Sequence, residues 1–381
     1  MRKTGHYVTS TTLGETVKAF VPAKLPPSRP ALDPDAWIAG NVDAEIALAR
    51  LSGMAGLVPS LDWLVYSAIR REALLTSQIE GTQATLMDLF DEEAGLSVGN
   101  ADDVEEVTNY LRAFKFVRDQ LRAPDGLPVS VRLLCEAHRI LMDGVRGSAK
   151  APGELRRSQN WIGGLRPGKA VFVPPPPEQV PALLSDLEHF IHDATPGLPP
   201  LVRVALVHAQ FETIHPFLDG NGRIGRLLIA ALVEHWQLLP EPLMYLSGYL
   251  KRHQAEYYRR LSAIRTEGDW EGWLGFFLEG VIDAAHSAER NIVALASLIN
   301  TDRRRLLAAP KASPIVYRLF ERLPLMPRFT IEGMRQALQT TFPTTTAAVS
   351  VLEELGVLVE TTGQKKNRNY SYKAYIDLMR D

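Results

Sequence analysis

The sequence predicts a mainly α-helical protein with a β-hairpin flap in its middle and a small helix-and-hairpin unit at its end. Three observations carry that expectation. Apolar residues recur at helical spacing through most of positions 37–307. Between 153 and 177, Gly-Gly and Pro-Gly turn signals surround the short apolar pieces WI and AVFV. Beyond about 310, three helical patterns are followed by strand, turn and strand.

Residues 1–35 are proline-bearing and read as irregular. From Trp37 to Leu121 the pattern is helical: AEIALARLSGM, then DWLVYSAIRREALL, then DDVEEVTNYLRAFKFVRDQL, whose Asp102 and Asp103 suit a helix N-terminus. A further helix covers Val129 to Met142. After the flap, helices resume at 181–194, 201–214, 223–236 and 254–265 and continue to about Leu307. The stretch DRRRLLAAPKASP reads as a hinge. The unit beyond it, with IVYRLFERL, TIEGMRQALQ, TTTAAVSVLEELG and then VLVETTGQKKNRNYSYKAY, has the order of a winged helix. The chain divides accordingly into an N-terminal helical region (1–121), a core (122–300) and a C-terminal domain (310–381).

Composition narrows the function classes. The chain has 381 residues, 46% hydrophobic and 23% charged, with a formal net charge of −2. These values fit a soluble globular protein with no global attraction to nucleic acid or anionic membrane. The single cysteine, Cys135, excludes a disulfide framework and suits a reducing cytoplasm. It reads as a small core residue. No secretory h-region opens the chain and no apolar run is long enough to cross a bilayer, so the expected place is cytoplasmic.

Two short stretches carry chemistry. In TSQIEG, Thr76 to Gly81, the helix ends at a glycine, yet Glu80 stands in its last turn, where exposed carbonyls favour cations. Either Glu80 is solvated or it faces a cation elsewhere in the chain. The second stretch, HPFLDGNGRIGR (His215 to Arg226), formally contains Gly220-x-Gly222-x-x-Gly225. A dinucleotide fold needs a strand before that pattern, whereas a helical run precedes it here. The segment still builds an anion site. Gly220 and Gly222 let backbone N–H groups converge at a helix start, with Arg223 and Arg226 one turn apart on that helix. Asp219 offers a hard oxygen ligand for Mg²⁺, and His215 a general base. A capped helix–helix turn with a structural histidine is the plainer alternative.

Together these residues resemble the Fic family of protein adenylyltransferases, whose signature HPFx[D/E]GNGRxxR is met at every specified position. The resemblance covers the N-terminal helices, the flap, the motif and the C-terminal winged helix. It implies that His215 deprotonates a Ser, Thr or Tyr hydroxyl of a target protein, which attacks the α-phosphate of ATP. Asp219 would hold Mg²⁺. The nucleotide would lie along Asp219, Gly220, Asn221, Gly222, Arg223, Ile224, Gly225 and Arg226, with Asn221 near the α-phosphate and both arginines at the outer phosphates. Tyr257 and Tyr258 would flank base and ribose, and Trp161, Ile162, Gly163 and Gly164 would form the flap on which the target docks as a strand. Thr76, Glu80 and Gly81 match the family's [S/T]xxxE[G/N] motif, whose glutamate pairs with the second arginine and obstructs the γ-phosphate. Self-modification and a homodimer are further partner expectations.

Two other readings stay open. One is removal of AMP from modified proteins at the same site, with Glu80 positioning water. The other is a DNA-binding regulator with a nucleotide-sensing core. For the second, the presumed recognition helix PTTTAAVSVLEEL has no Lys or Arg and carries Glu353 and Glu354, although the wing offers Lys365, Lys366 and Arg368. Nucleic acid is therefore the less expected partner.

Overall fold

The protein is described by a computed structural model covering residues 2–145, 147, 150–193, 197–364 and 368–380. The N-terminus corrects the expectation of irregular chain. β1 (Gly5–Thr12) and β2 (Glu15–Pro22) pair antiparallel, with Thr12 opposite Glu15. Leu13 and Gly14 both have positive φ (49° and 77°), the geometry of a tight type I′ hairpin turn. The later prolines hid this short hairpin, whose alternation is plain only at Val17 and Ala19, both buried.

The helices follow as α1 (Ile38–Gly53), α2 (Leu61–Ile79), α3 (Leu86–Glu93), α4 (Ala101–Arg122), α5 (Val131–Leu141), α6 (Val180–His192), α7 (Pro200–Ile214), α8 (Asn221–His235), α9 (Ser247–Arg252), α10 (Gln254–Glu267) and α11 (Trp270–Leu307). Two of these were not expected. Short α3 starts at a capping box between Thr85 and Asp88, and α9 is only six residues long. Helix α7 is buried almost all round, with only Pro200, Arg203 and Glu212 partly exposed. A helix apolar on every side belongs at the centre of a core. Helices α6, α8 and α11 pack against it, and α4 and α5 cover α8. The short link from α7 to α8 thus holds the glycine-rich motif in the middle of the protein.

The flap is slighter than a hairpin. One bridge pairs Ile162 with Phe172, and the tip closes with a 3₁₀ turn at Pro167–Lys169. Positive φ at Gly163 and Gly164, with Pro174 to Pro177 beyond, leaves no length for a ladder. On its outer side Val173 packs with Val17 and Ala19 of β2, and Phe20 N–H donates to the Val173 carbonyl (3.0 Å).

The C-terminal unit runs α12 (Pro314–Arg322), β3 (Arg328–Thr330), α13 (Ile331–Leu338), α14 (Phe342–Glu354), β4 (Val359–Glu360), β5 (Asn369–Ser371) and α15 (Lys373–Arg380), with sheet order β3-β5-β4. Helix α11 continues through the first half of the expected hinge. The Tyr372 hydroxyl donates to Asp302 (2.8 Å), Arg328 pairs with Asp91, and the buried core is continuous from Leu32 to Met379. Lys365 and Lys366 lie outside the described residues. No helix among those described is long and apolar enough to cross a membrane.

Candidate functional site

Helix α7 ends at His215, which adopts a left-handed conformation (φ 50°, ψ 62°) rare outside glycine and asparagine. This bend turns the chain into the loop 216–220. Gly220, also left-handed (φ 72°), then starts α8. Inside the loop the Phe217 N–H donates to Asn221 Oδ1 (2.8 Å), and Asn221 Nδ2 donates to the Phe217 carbonyl (2.9 Å). Phe217 is buried. The Asn221 side chain is therefore used up in closing the loop, and only its backbone is left for an anion. The first-turn N–H groups of α8 have no intrahelical acceptor and converge there.

The two arginines of the motif diverge. Arg226, buried, donates from Nε to Thr76 Oγ1 (2.6 Å) and from Nη2 to the Thr76 carbonyl (3.0 Å) and to Glu80 Oε1 (2.6 Å). Against the cost of burial, the Glu80 carboxylate holds Arg226 more firmly protonated than an ordinary arginine. Glu80 can reach it because Gly81, at φ 99°, ends α2 there. It also lies against Gly222, where a Cβ would come within 2.3 Å of Glu80 Oε1. Thus the carboxylate at the unfavourable pole of α2 has its cation, 146 residues downstream. Arg223 departs from the expectation that both arginines serve the outer phosphates. It pairs with Glu106 of α4 (3.2 Å), both side chains 5% exposed, and leans on the Met142 sulfur.

A pocket of about 330 Å³ brings His215, Gly222, Arg226 and Glu80 together with Tyr257, Tyr258, Ile162 and Gly163. Tyr257 is buried with its hydroxyl on His208 Nε2 (2.8 Å), whereas Tyr258 is exposed along one side. The His208 Nδ1 faces the Gly225 carbonyl (3.0 Å), so Nδ1 carries the proton and the Tyr257 hydroxyl donates to Nε2. Trp161 packs beside Val173 in the hairpin cluster, and neither it nor Gly164 lines the pocket. Burial, and then the charge of Arg156, lower the His215 pKa to about 4, which keeps the imidazole neutral at physiological pH. A neutral imidazole is the form that accepts a proton.

Asp219 stands at the other side of the loop. Its Oδ1 accepts from the Gly220 N–H (2.7 Å) and its Oδ2 from Lys150 Nζ (2.7 Å). Although burial opposes it, these donors hold its carboxyl below the usual range. His138, stacked on Phe217, donates from Nε2 to the Asp219 carbonyl (3.1 Å) while its Nδ1 accepts from the Gly153 N–H (2.8 Å). Among the described residues no cluster of three or more His, Cys, Asp or Glu could hold a metal. One carboxylate oxygen at a phosphate site fits an ion that takes its remaining ligands from nucleotide and water, as Mg²⁺ does. Cys135 takes no part: burial raises its thiol to about 11.

Several residues were missed in the sequence. Glu212, three positions before His215 and on the same helix face, lines the pocket, and burial raises its carboxyl to about 7. Spacing alone could have found it. Arg265 reaches the pocket from α10 and lies over the Phe172 ring at 3.8 Å. Lys150, Arg156 and His138 come from a loop and a helix with no motif of their own, and only tertiary folding brings them in.

Comparison with known proteins places the domains and the fold. Residues 38–118 match the Fic/DOC family N-terminal region and residues 128–233 the Fic/DOC family. The protein adenylyltransferases Fic of Drosophila grimshawi and Drosophila virilis are each 27% identical over 208 residues, which is 53% of this chain and 39% of theirs. The chain thus matches about two-fifths of the length of these curated relatives. A Fic family protein from Desulfovibrio desulfuricans G20 shares the fold over 90% of this chain and 96% of its own, with a TM-score of 0.57 at 21% identity. Fic-1 from C. elegans shares it over 68% and 74%, with a TM-score of 0.55 at 21% identity.

Proposed function

This chain carries the Fic/DOC N-terminal region and the Fic domain, and on that premise we propose that it is an autoinhibited protein adenylyltransferase. It transfers AMP from ATP to a Ser, Thr or Tyr hydroxyl of a protein. The observation that carries the reading is the Glu80–Arg226 contact at 2.6 Å on the wall of the pocket that also holds His215.

In the reaction, the target hydroxyl oxygen bonds to the α-phosphorus as its proton passes to the neutral His215 ring. The bond from the α-phosphorus to the bridging oxygen breaks and pyrophosphate leaves. The N–H groups opening α8 receive the α-phosphate, and Arg226, once Glu80 withdraws, meets the outer phosphates. Such chemistry depends mainly on positioning and on neutralising phosphate charge. Asp219 would hold Mg²⁺, which when bound supplies charge neutralisation at the phosphates. Tyr257 and Tyr258 bound the nucleoside side of the pocket, and the flap at Ile162 and Gly163 offers the target an edge for strand addition. We place this activity in a reducing cytoplasm, in keeping with the single cysteine. The C-terminal unit reads as a winged helix used for protein contact, because α14 has no basic residue.

The test is transfer of α-labelled ATP to protein by wild type, Glu80→Gly and His215→Ala. Labelling by Glu80→Gly should exceed wild type by at least about tenfold, the size of a lost interaction near 1.4 kcal/mol. If Glu80→Gly labels no more than His215→Ala, the reading fails. A reversed outcome, net AMP release from a labelled protein that requires Glu80, would assign de-AMPylation instead. Glu80, 34% exposed beside the pocket, could position a water for it.

A further inference from the structure

Arg156 lies between the flap and the catalytic loop, with no role in the scheme above. It is 3% exposed. Its Nε donates to the His215 carbonyl (2.8 Å), and its Nη2 to the Pro175 carbonyl (2.6 Å) and the Ile214 carbonyl (3.3 Å). Its backbone N–H donates to the Pro216 carbonyl (2.9 Å). Among the described residues no carboxylate hydrogen-bonds this guanidinium, and its Nη1 is buried without a partner. Glu178 is the carboxylate that acts on it, through space and without a hydrogen bond. A buried cation balanced only at a distance is costly and is seldom kept for packing alone. Burial lowers its pKa to about 10, so it remains protonated at neutral pH.

We propose that Arg156 is a positioning residue that sets both the pose and the charge state of His215, and that ties the flap to it. The pose follows from the clamp. Three successive carbonyls, those of Ile214, His215 and Pro216, are fixed from one residue, which holds the left-handed turn that aims the imidazole into the pocket. The flap follows from Pro175, at the base of its return strand, on the same guanidinium. The charge state follows from proximity. The groups acting on the ring are Arg156 before the flap, the Glu212 backbone on α7, Glu80 at the end of α2 and Arg265 on α10, with the Glu212 side chain and Arg226 of α8 lining the same pocket. After burial, Arg156 is the largest influence, and it disfavours imidazolium. Arg265 acts with it, and the hydrogen bond to the Glu212 backbone and the Glu80 charge act against it. Below its pKa His215 is protonated and cannot accept the target's proton. Removing the Arg156 charge therefore raises the pH at which the base is lost.

This inference rests on His215 being the base, and the experiment separates the two claims. The His215 ring proton is titrated by NMR in the full chain, identified by its absence in His215→Ala, for wild type, Arg156→Met and Arg156→Lys. Arg156→Gln replaces the methionine variant if that one does not fold. The neutral variant should titrate at higher pH than wild type, and the lysine variant near wild type. Transfer is followed in parallel in the Glu80→Gly background, which also lacks the group that opposes Arg156. There the ratio of rates at pH 8 and pH 4.5 should rise about threefold in the neutral variant, the change that a rise of about one unit from about 4 produces. The lysine variant, which keeps the charge but lacks the planar fork, should lose kcat with KM for ATP and the pH profile unchanged. An unmoved His215 titration in the neutral variant overturns the inference, as do equal losses in both variants with an unchanged pH profile. Absence of any transfer in Glu80→Gly would count against the adenylyltransferase reading, and the NMR titration would still decide the role of Arg156.

Discussion

The two sides of the α8 N-terminus solve the same problem differently. Each side has a buried arginine, and each arginine has one carboxylate. Arg223 faces Glu106 in the second turn of α4, both side chains 5% exposed, and neither lines the pocket that holds His215. Arg226 contacts Glu80, 34% exposed on the last residue before a helix-ending glycine, on the wall of an open pocket of about 330 Å³. The first pair is built into the core and the second stands where it can be opened. Of the two arginines only Arg226 lines the pocket, and its carboxylate partner caps the end of a helix where Arg223's stands within one.

The largest effect expected from breaking this contrast is on stability. Glu106→Ala leaves Arg223 buried without its partner, which typically costs about 3–5 kcal/mol. Glu80→Ala should cost about 1 kcal/mol or less, because its pair is partly exposed and the pocket admits water. Urea unfolding of the two variants checks this, and equal losses would erase the distinction between fixed and removable partners. A second test concerns the close approach at Gly222. A methyl there would meet Glu80 Oε1 at 2.3 Å. Gly222→Ala should therefore destabilise wild type more than it destabilises Glu80→Gly. The coupling expected for contacting residues is about 0.5–3 kcal/mol, and strict additivity would mean that the carboxylate does not rest there.

What the sequence disclosed follows the same line. Glu80 and Arg226 were legible as a pair because a family motif names both and because the charge stood at the wrong helix end. Most helices from 37 to 307 were legible from apolar spacing. Arg223 was not, since one motif cannot show that a guanidinium turns toward Glu106 on a helix 117 residues away in sequence. The β1–β2 hairpin escaped because its signal is two residues of turn and one short alternating strand. Arg156 and Lys150 escaped because backbone carbonyls and a lone carboxylate leave no sequence signature.

Thr76 probes the middle of the contrast. It holds Arg226 through a hydroxyl and a carbonyl, whereas only the hydroxyl can be removed by mutation. Thr76→Val should cost about 1 kcal/mol in urea unfolding, the value of one side-chain hydrogen bond. It should release less transfer activity than Glu80→Gly, since the carboxylate contact survives. Release equal to that of Glu80→Gly would shift the restraint from Glu80 to the threonine.

The smallest effect belongs to a third carboxylate, the one within the motif itself, which tests whether exposure is what makes a partner exchangeable. Asp219 Oδ2 is held by Lys150 Nζ at 2.7 Å, with the two side chains 37% and 52% exposed. This is the most open of the three pairs. A divalent ion bound by Asp219 would compete for the same oxygen, and two cations on one carboxylate repel, so the ammonium would have to yield to it. An exposed pair of this kind contributes about 0.2–1 kcal/mol, so its removal should tighten metal binding by up to about fivefold. The check is Mn²⁺ binding to the full chain followed by electron paramagnetic resonance, without nucleotide. Lys150→Met should bind tighter than wild type, Lys150→Arg should not, and Asp219→Asn should weaken both backgrounds. If Lys150→Met binds Mn²⁺ no better, Lys150 is not competing for Asp219 and exposure alone does not make a partner exchangeable. If Asp219→Asn leaves binding unchanged, the metal does not use this carboxylate, and the contrast is confined to the two arginines.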